Sequence, residues 1–249
     1  MDMEQNIIVF GATGRIGALV SKQLAQAGYG VVIHYFQNRE KAERIVSEIT
    51  EAGGSAVALH ADVRDLAQTE ELAEQAVRRF GTIHAAVNFV FNDRNYKSVP
   101  VENMDWEDWN DALDSVHSHF NICKALIPRM KRQQYGRILY ISGGLAYRFY
   151  TGCSVFSTVK AGLNAFCKTL AKEVGPDHIT VNVIAPGKVA ESNQKDADSL
   201  EDDVNQCALG RFACAADIAG AIEFFASDKA AFITGQTLYV SGGEIMPMP

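Results

Sequence analysis

The sequence is short of cations. Lysine and arginine total 23 against 30 acidic residues, and the net charge is −7. Nucleic-acid and anionic-membrane surfaces usually need a basic patch, so neither partner is expected. Cysteine is sparse. Cys123, Cys153, Cys167, Cys207 and Cys214 make an odd set with no C-x-x-C pair. They read as reduced thiols in the cytoplasm rather than a disulfide framework. No apolar run reaches the roughly 18 residues of a membrane span. The opening MDMEQ is acidic and leads straight into a strand, so no signal peptide is expected. No metal is expected either. His117 and His119 are two apart, on different faces of a helix, with no carboxylate at ligand spacing.

What is present is an alternation. Hydrophobic residues make up 47% of the 249, enough for one large core, and residues 1–249 read as one unit. Strand-like runs fall at Ile7–Phe10, Val31–Tyr35, Ala56–Leu59, Ile83–Asn88, Arg137–Ile141, Ile179–Ile184 and Gln236–Val240. Helix-like periods fall at Ile16–Ala27, Arg39–Ala52, Leu66–Phe80, about Asp105–Arg132, about Cys153–Val174 and Ala215–Ala226. Such alternation implies right-handed crossovers and an α/β fold, a doubly wound parallel sheet of about seven strands with helices on both faces. The acidic, polar stretch Lys188–Asn205 follows the sixth strand. Ligands sit beyond the carboxyl ends of such strands, so this stretch reads as a substrate lid.

GATGRIG at 11–17 lies between the first strand and the first helix. Gly11 permits a tight turn, Gly14 admits a pyrophosphate to the backbone, and Gly17 lets the helix pack closely. The helix N-terminus then offers N–H groups to phosphate, with Thr13, Arg15 and Ile16 completing the turn. The chain is therefore expected to hold a nicotinamide dinucleotide. An acid ending the second strand would take the ribose hydroxyls of NAD. Here His34-Tyr-Phe-Gln-Asn-Arg39 contains none, and Arg15 and Arg39 are cations for a 2′-phosphate. NADP(H) is favoured over NAD(H).

Further segments sit in a set order: Ala61-Asp62-Val63, Val87-Asn88, Gly136-Arg137-Ile138, Lys160-Ala-Gly, VNVIAPG at 181–187 and ITGQTLYVSGG at 233–243. With the glycine turn they make the chain resemble the short-chain dehydrogenase/reductase family along its length. It looks most like the 3-oxoacyl-carrier-protein reductase branch. The resemblance implies a Rossmann-like fold and a homo-oligomer, dimer or tetramer. It implies that Asp62 and Val63 flank the adenine, Asn88 lies under the cofactor, and Lys160 holds the nicotinamide ribose. Pro186, Gly187 and Val189 would border the nicotinamide.

The reacting centre departs from the family pattern. The family's tyrosine acid falls on Phe156 and its serine on Gly143, beside Ser142. Its asparagine falls on Ser115 or Val116, and the threonine after the proline-glycine turn on Glu191. Asn-Asn-Ala-Gly becomes Asn88-Phe-Val-Phe91, and Arg15 takes a usual glycine site. Three readings stay open. One is a carbonyl or enone reductase of a biosynthetic intermediate, with Lys160 kept and the proton coming from Tyr147, Tyr150 or water. The second is a non-redox isomerase, dehydratase or cyclase. Its pocket of Phe89, Phe91, Tyr147, Phe149, Tyr150 and Phe156 would suit an extended, apolar small molecule. The third is an inactive partner subunit that binds cofactor.

Overall fold

A computed structural model of the chain describes residues 5–91, 98–190 and 206–247. Seven strands form one parallel sheet in the order β3-β2-β1-β4-β5-β6-β7. They are β1 (Asn6–Phe10), β2 (Gly30–Tyr35), β3 (Ser55–His60), β4 (Ala85–Asn88), β5 (Gly136–Ile141), β6 (Ile179–Pro186) and β7 (Thr237–Val240). Six α-helices are described: α1 (Arg15–Gln26), α2 (Arg39–Glu51), α3 (Leu66–Phe80), α4 (Trp106–Gln133), α5 (Ser154–Val174) and α6 (Ala215–Ala226). The central strands are buried on both faces, which is why they read as unbroken apolar runs.

Strand side chains alternate between two cores. Ile8, Phe10, Ile138 and Tyr140 pack with Leu72 of α3, Leu126 of α4 and Leu163 of α5. Ile7, Val9, Leu139 and Ile141 pack with Leu24 of α1, Ile45 of α2 and Ile222 of α6. The starts of α2 and α3 carry polar side-chain caps. Asn38 accepts from the Lys41 amide before α2, and Asp65 accepts from Ala67 and Gln68 at α3. The start of α1 has Gly14 as its cap and, like those of α4 and α5, no side-chain cap hydrogen bond.

Two strands begin later than their apolar runs. Ile83 and His84 stand outside β4, although the His84 amide donates to the Asn6 carbonyl at 2.9 Å. Gln236 stands outside β7, its amide taken by the Asn182 side chain at 3.0 Å. Strand order reverses between β1 and β4, the switch point where such sheets open a cleft.

Candidate functional site

The cleft starts at the glycine turn. Gly11 sits at φ +75°, and its carbonyl accepts from Gly14 at 2.9 Å. A Cβ on Gly17 would stand 2.5 Å from that same oxygen, so a side chain there is excluded. The amides opening α1 thus keep no side-chain partner at the cap and face outward from the sheet's carboxyl end.

The turn rests on a residue from the neighbouring strand. His34, 2% exposed, accepts from the Gly11 amide through Nδ1 at 3.0 Å. Its Nε2 donates to the Ala61 carbonyl at 3.0 Å. A donor on one side and an acceptor on the other fix one neutral tautomer. Burial pushes the His34 pKa down to about 4, only partly offset by the bond to Ala61. One ring therefore ties the ends of β1, β2 and β3 together.

Beyond the turn, the β2–β3 half of the cleft is open. A cavity of about 570 Å³ is lined by Gly14, His34, Phe36, Asp62, Arg64 and Phe89, among others. Arg64 binds both Asp62 oxygens, the shortest contact being 2.6 Å, and reaches Asp114 at 3.5 Å. Its guanidinium lies 5.4 Å from the centre of the Phe36 ring. Asn121 of α4 donates to the Val63 and Arg64 carbonyls and holds this turn in place.

In the β5–β6 half the described residues build an aromatic cover around Lys160. Lys160 is 5% exposed and donates to the Ile141 carbonyl at 3.0 Å. Its ammonium lies 4.7, 5.1 and 5.5 Å from the ring centres of Phe91, Tyr140 and Phe156. Phe91 and Phe156 touch, centre to centre 4.6 Å. A Cβ on Gly143 would meet the Phe156 ring at 3.9 Å, so positions 143, 156 and 160 share one spot. A desolvated cation–π contact contributes about 2 kcal/mol and an aromatic pair about 1 kcal/mol, so the cover over Lys160 is held in place.

Under this half lies a second neutral histidine. Asn88 accepts from the Val90 amide at 2.8 Å, which turns its Nδ2 toward Nδ1 of His119 at 3.0 Å. His119 Nε2 then faces Cys167 Sγ at 3.4 Å and Cys123 Sγ at 3.7 Å. Burial, aided by the charge of Lys160, lowers the His119 pKa to about 3. Burial also pushes Cys167 up to about 12.

The outer wall joins three segments. The buried Glu244 carboxylate accepts from the Lys188 amide at 3.0 Å and from Arg148 at 2.9 Å. A Cβ on Gly187 would run into that carboxylate, and one on Gly144 into Ile245. The chain after β7 therefore packs on the turns that follow β5 and β6.

The comparisons with known proteins agree with this fold. The sequence profile of the enoyl-(acyl carrier protein) reductase family matches residues 11–244. A 3-oxoacyl-[acyl-carrier-protein] reductase of Staphylococcus aureus is 34% identical, over 99% of this chain and 100% of that protein. The chain belongs to the short-chain dehydrogenase/reductase family. Among solved structures, a dehydrogenase/reductase from Sinorhizobium meliloti is 31% identical with a TM-score of 0.86, covering 96% of this chain and 94% of that one. A doubly substituted Serratia marcescens short-chain dehydrogenase/reductase is 30% identical with a TM-score of 0.87, covering 98% and 99%. No described helix is long and apolar enough to cross a membrane.

Within this family fold, the structure gathers most of the expected residues around the cleft. Gly11, Thr13, Gly14, Asp62 and Val63 line the open half, and Asn88 ends β4 beside it. Ile16 and Gly17 lie in the first turn of α1, and Pro186 ends β6 ahead of Gly187. The two expected cations point elsewhere. Arg15 donates to the Ala190 carbonyl at 3.2 Å and lies 3.5 Å from that of Val189, spanning the cleft. The Arg39 side chain, 75% exposed, pairs with Glu43. The cation lining the cavity is Arg64, which the sequence did not single out.

Among the described residues, the expected pocket aromatics fall into separate groups, with Phe91 against Phe156 and Tyr147 against Tyr239. Tyr147 packs edge-on against Tyr239, and its hydroxyl accepts from Asn164 at 3.4 Å. Burial works to raise the Tyr147 phenol, but hydrogen bonds, led by that from Tyr239, bring it below its ordinary value. Tyr150 is half exposed beneath Arg148, and Phe149 is exposed. Ser115 is fully buried and Val116 packs against the core. Glu191 and most of the lid stretch, 191–205, lie outside the described residues. His34 was also missed. Its signal is an ionisable residue near the end of an otherwise apolar central strand.

Proposed function

We propose that this chain is an NADP(H)-dependent oxidoreductase that reduces a carbonyl or enone of a biosynthetic intermediate, using a proton donor other than the family's tyrosine. One observation carries the cofactor part: an uncapped helix N-terminus opens onto a cavity of about 570 Å³ that ends at Asp62. That space suits adenosine and pyrophosphate, with Gly11–Gly17 at the phosphates and Asp62 and Val63 at the adenine. Arg39 is exposed, and its ion pair with Glu43 is weak enough to give way to a 2′-phosphate. The relatives' names point to a 3-oxoacyl thioester as the substrate class.

A bound nicotinamide supplies hydride to the substrate carbon. Lys160 would hold the ribose beside it, with Pro186, Gly187 and Val189 along the ring. Phe156 and Gly143 give the substrate oxygen neither a proton nor a hydroxyl, and each lost donor costs roughly 3–4 kcal/mol of transition-state stabilisation. In this reading the proton comes from Tyr150, from Tyr147 or from water, and the rate is correspondingly low. The reading takes residues 1–249 as one unit, cytoplasmic, in a homodimer or homotetramer, with an extended apolar substrate.

The test has two parts. Replacing Arg15 and Arg39 together weakens NADPH more than NADH, and equal losses contradict the NADP assignment. Single-turnover oxidation of NADPH with a panel of 3-oxoacyl thioesters, ketones and enones gives a slow burst. No oxidation with any of them contradicts the reductase. A second reading, a cofactor-binding subunit or non-redox enzyme, is favoured by the aromatic cover over Lys160. It predicts tight cofactor binding with no oxidation.

A further inference from the structure

In a dinucleotide fold the two mononucleotide halves occupy the two sides of the strand-order switch. Here those sides differ in kind. The β2–β3 side is an open cavity. On the β5–β6 side, Phe91 leaves β4 and lays its ring over the Lys160 ammonium, against Phe156. Arg15 crosses between the sides to the Val189 and Ala190 carbonyls. Phe91 stands at the border, lining the open cavity with Phe89 and Val90, whereas Lys160, Pro186, Gly187 and Val189 are not among its lining residues.

The geometry points to Phe91 as a gate on the second half of the cleft, so that the adenosine half of a dinucleotide binds independently and the nicotinamide half adds almost no net affinity. The inference rests on the dinucleotide reading above. Lys160 reaches a ribose hydroxyl only after the Phe91 ring has left it, because the residue is 5% exposed and three rings lie around its ammonium. Whatever the nicotinamide half wins from the protein is offset by the aromatic and cation–π interactions that Phe91 gives up. Removing the ring at position 91 removes that displacement cost. Phe91 is thus a specificity-determining residue. It sets how much of the cofactor the protein senses, and it opens the site to adenine nucleotides that lack nicotinamide.

Calorimetric titration of the full-length protein with 2′,5′-ADP and with NADPH tests this. For the wild type the two dissociation constants fall within about threefold of each other. For Phe91→Gly, NADPH tightens by about tenfold or more while 2′,5′-ADP stays put. Phe91→Ala gives the same pattern if the glycine variant folds poorly, with thermal melting as the check. A wild type that already binds NADPH more than about tenfold tighter than 2′,5′-ADP overturns the gate and leaves the dinucleotide reading standing. Binding of neither ligand overturns both.

Discussion

The two halves of the cleft each rest on a buried neutral histidine, yet they are built for different ends. His34 spends both ring nitrogens on backbone, holding Gly11 and Ala61 so that the turn stays open above it. His119 spends its nitrogens on side chains, Asn88 and two thiols, under a roof of Tyr140 and Phe166. The first arrangement presents polar backbone to a ligand. The second fills space. On the reading proposed above, binding a cofactor and placing its reactive end are separable tasks in this chain.

The largest expected effect strikes both halves together. The unfolded histidines take a proton near pH 6.5, whereas the folded His34 and His119 stay neutral down to about 4 and about 3. The unfolded state binds more protons in that window, so stability falls as pH drops from 6.5 and this contribution levels off near the folded values. From pH 7 to 5 each histidine removes about 2 kcal/mol, roughly 4 in all. Urea unfolding at the two pH values reads this directly, and His34→Gln or His119→Gln halves the slope. An unchanged slope in both variants breaks the parallel.

Next is the open half. Gly17→Val puts methyl groups where even a Cβ lies 2.5 Å from the Gly11 carbonyl. Cofactor affinity should fall by about 100-fold, with about 1–3 kcal/mol lost from stability, in titration and melting. A smaller change sharpens the contrast. His34→Leu leaves the Gly11 amide and the Ala61 carbonyl unpartnered, costing about 1–3 kcal/mol and weakening 2′,5′-ADP about tenfold. Phe156→Leu, in the other half, should leave 2′,5′-ADP within about twofold. Equal losses would mean that the halves are coupled. Smallest of all, Arg39→Ala should leave the urea midpoint where it is, because its pair with Glu43 is exposed.

Much of this was legible in the sequence. Buried strands read as apolar runs, and each helix carries a 3.6-residue period. The glycine turn is local chemistry, set by what Gly11 and Gly17 alone can do. Positions 143, 156 and 160 were legible as a set through the family resemblance, which aligns them with the family's serine, tyrosine and lysine. What could not be read were choices of direction made across the fold. Arg15 turned to carbonyls on the segment after β6, and Arg39 to its own helix neighbour Glu43. Arg64 took the cavity because Asp62 lies two residues away and Asn121 holds that turn. Phe91 was visible as a bulky residue at a family glycine and as one of the expected pocket aromatics. Its placement over Lys160, 69 positions away, depends on a side-chain rotamer and on contact with the Phe156 ring.

The most direct test of separable halves is a pair of crystal structures of the wild type, one with 2′,5′-ADP and one with NADPH. The account predicts that Phe91 stays over Lys160 in the first and is swung away in the second. Finding Phe91 unmoved in both, with Lys160 on the nicotinamide ribose, would contradict it.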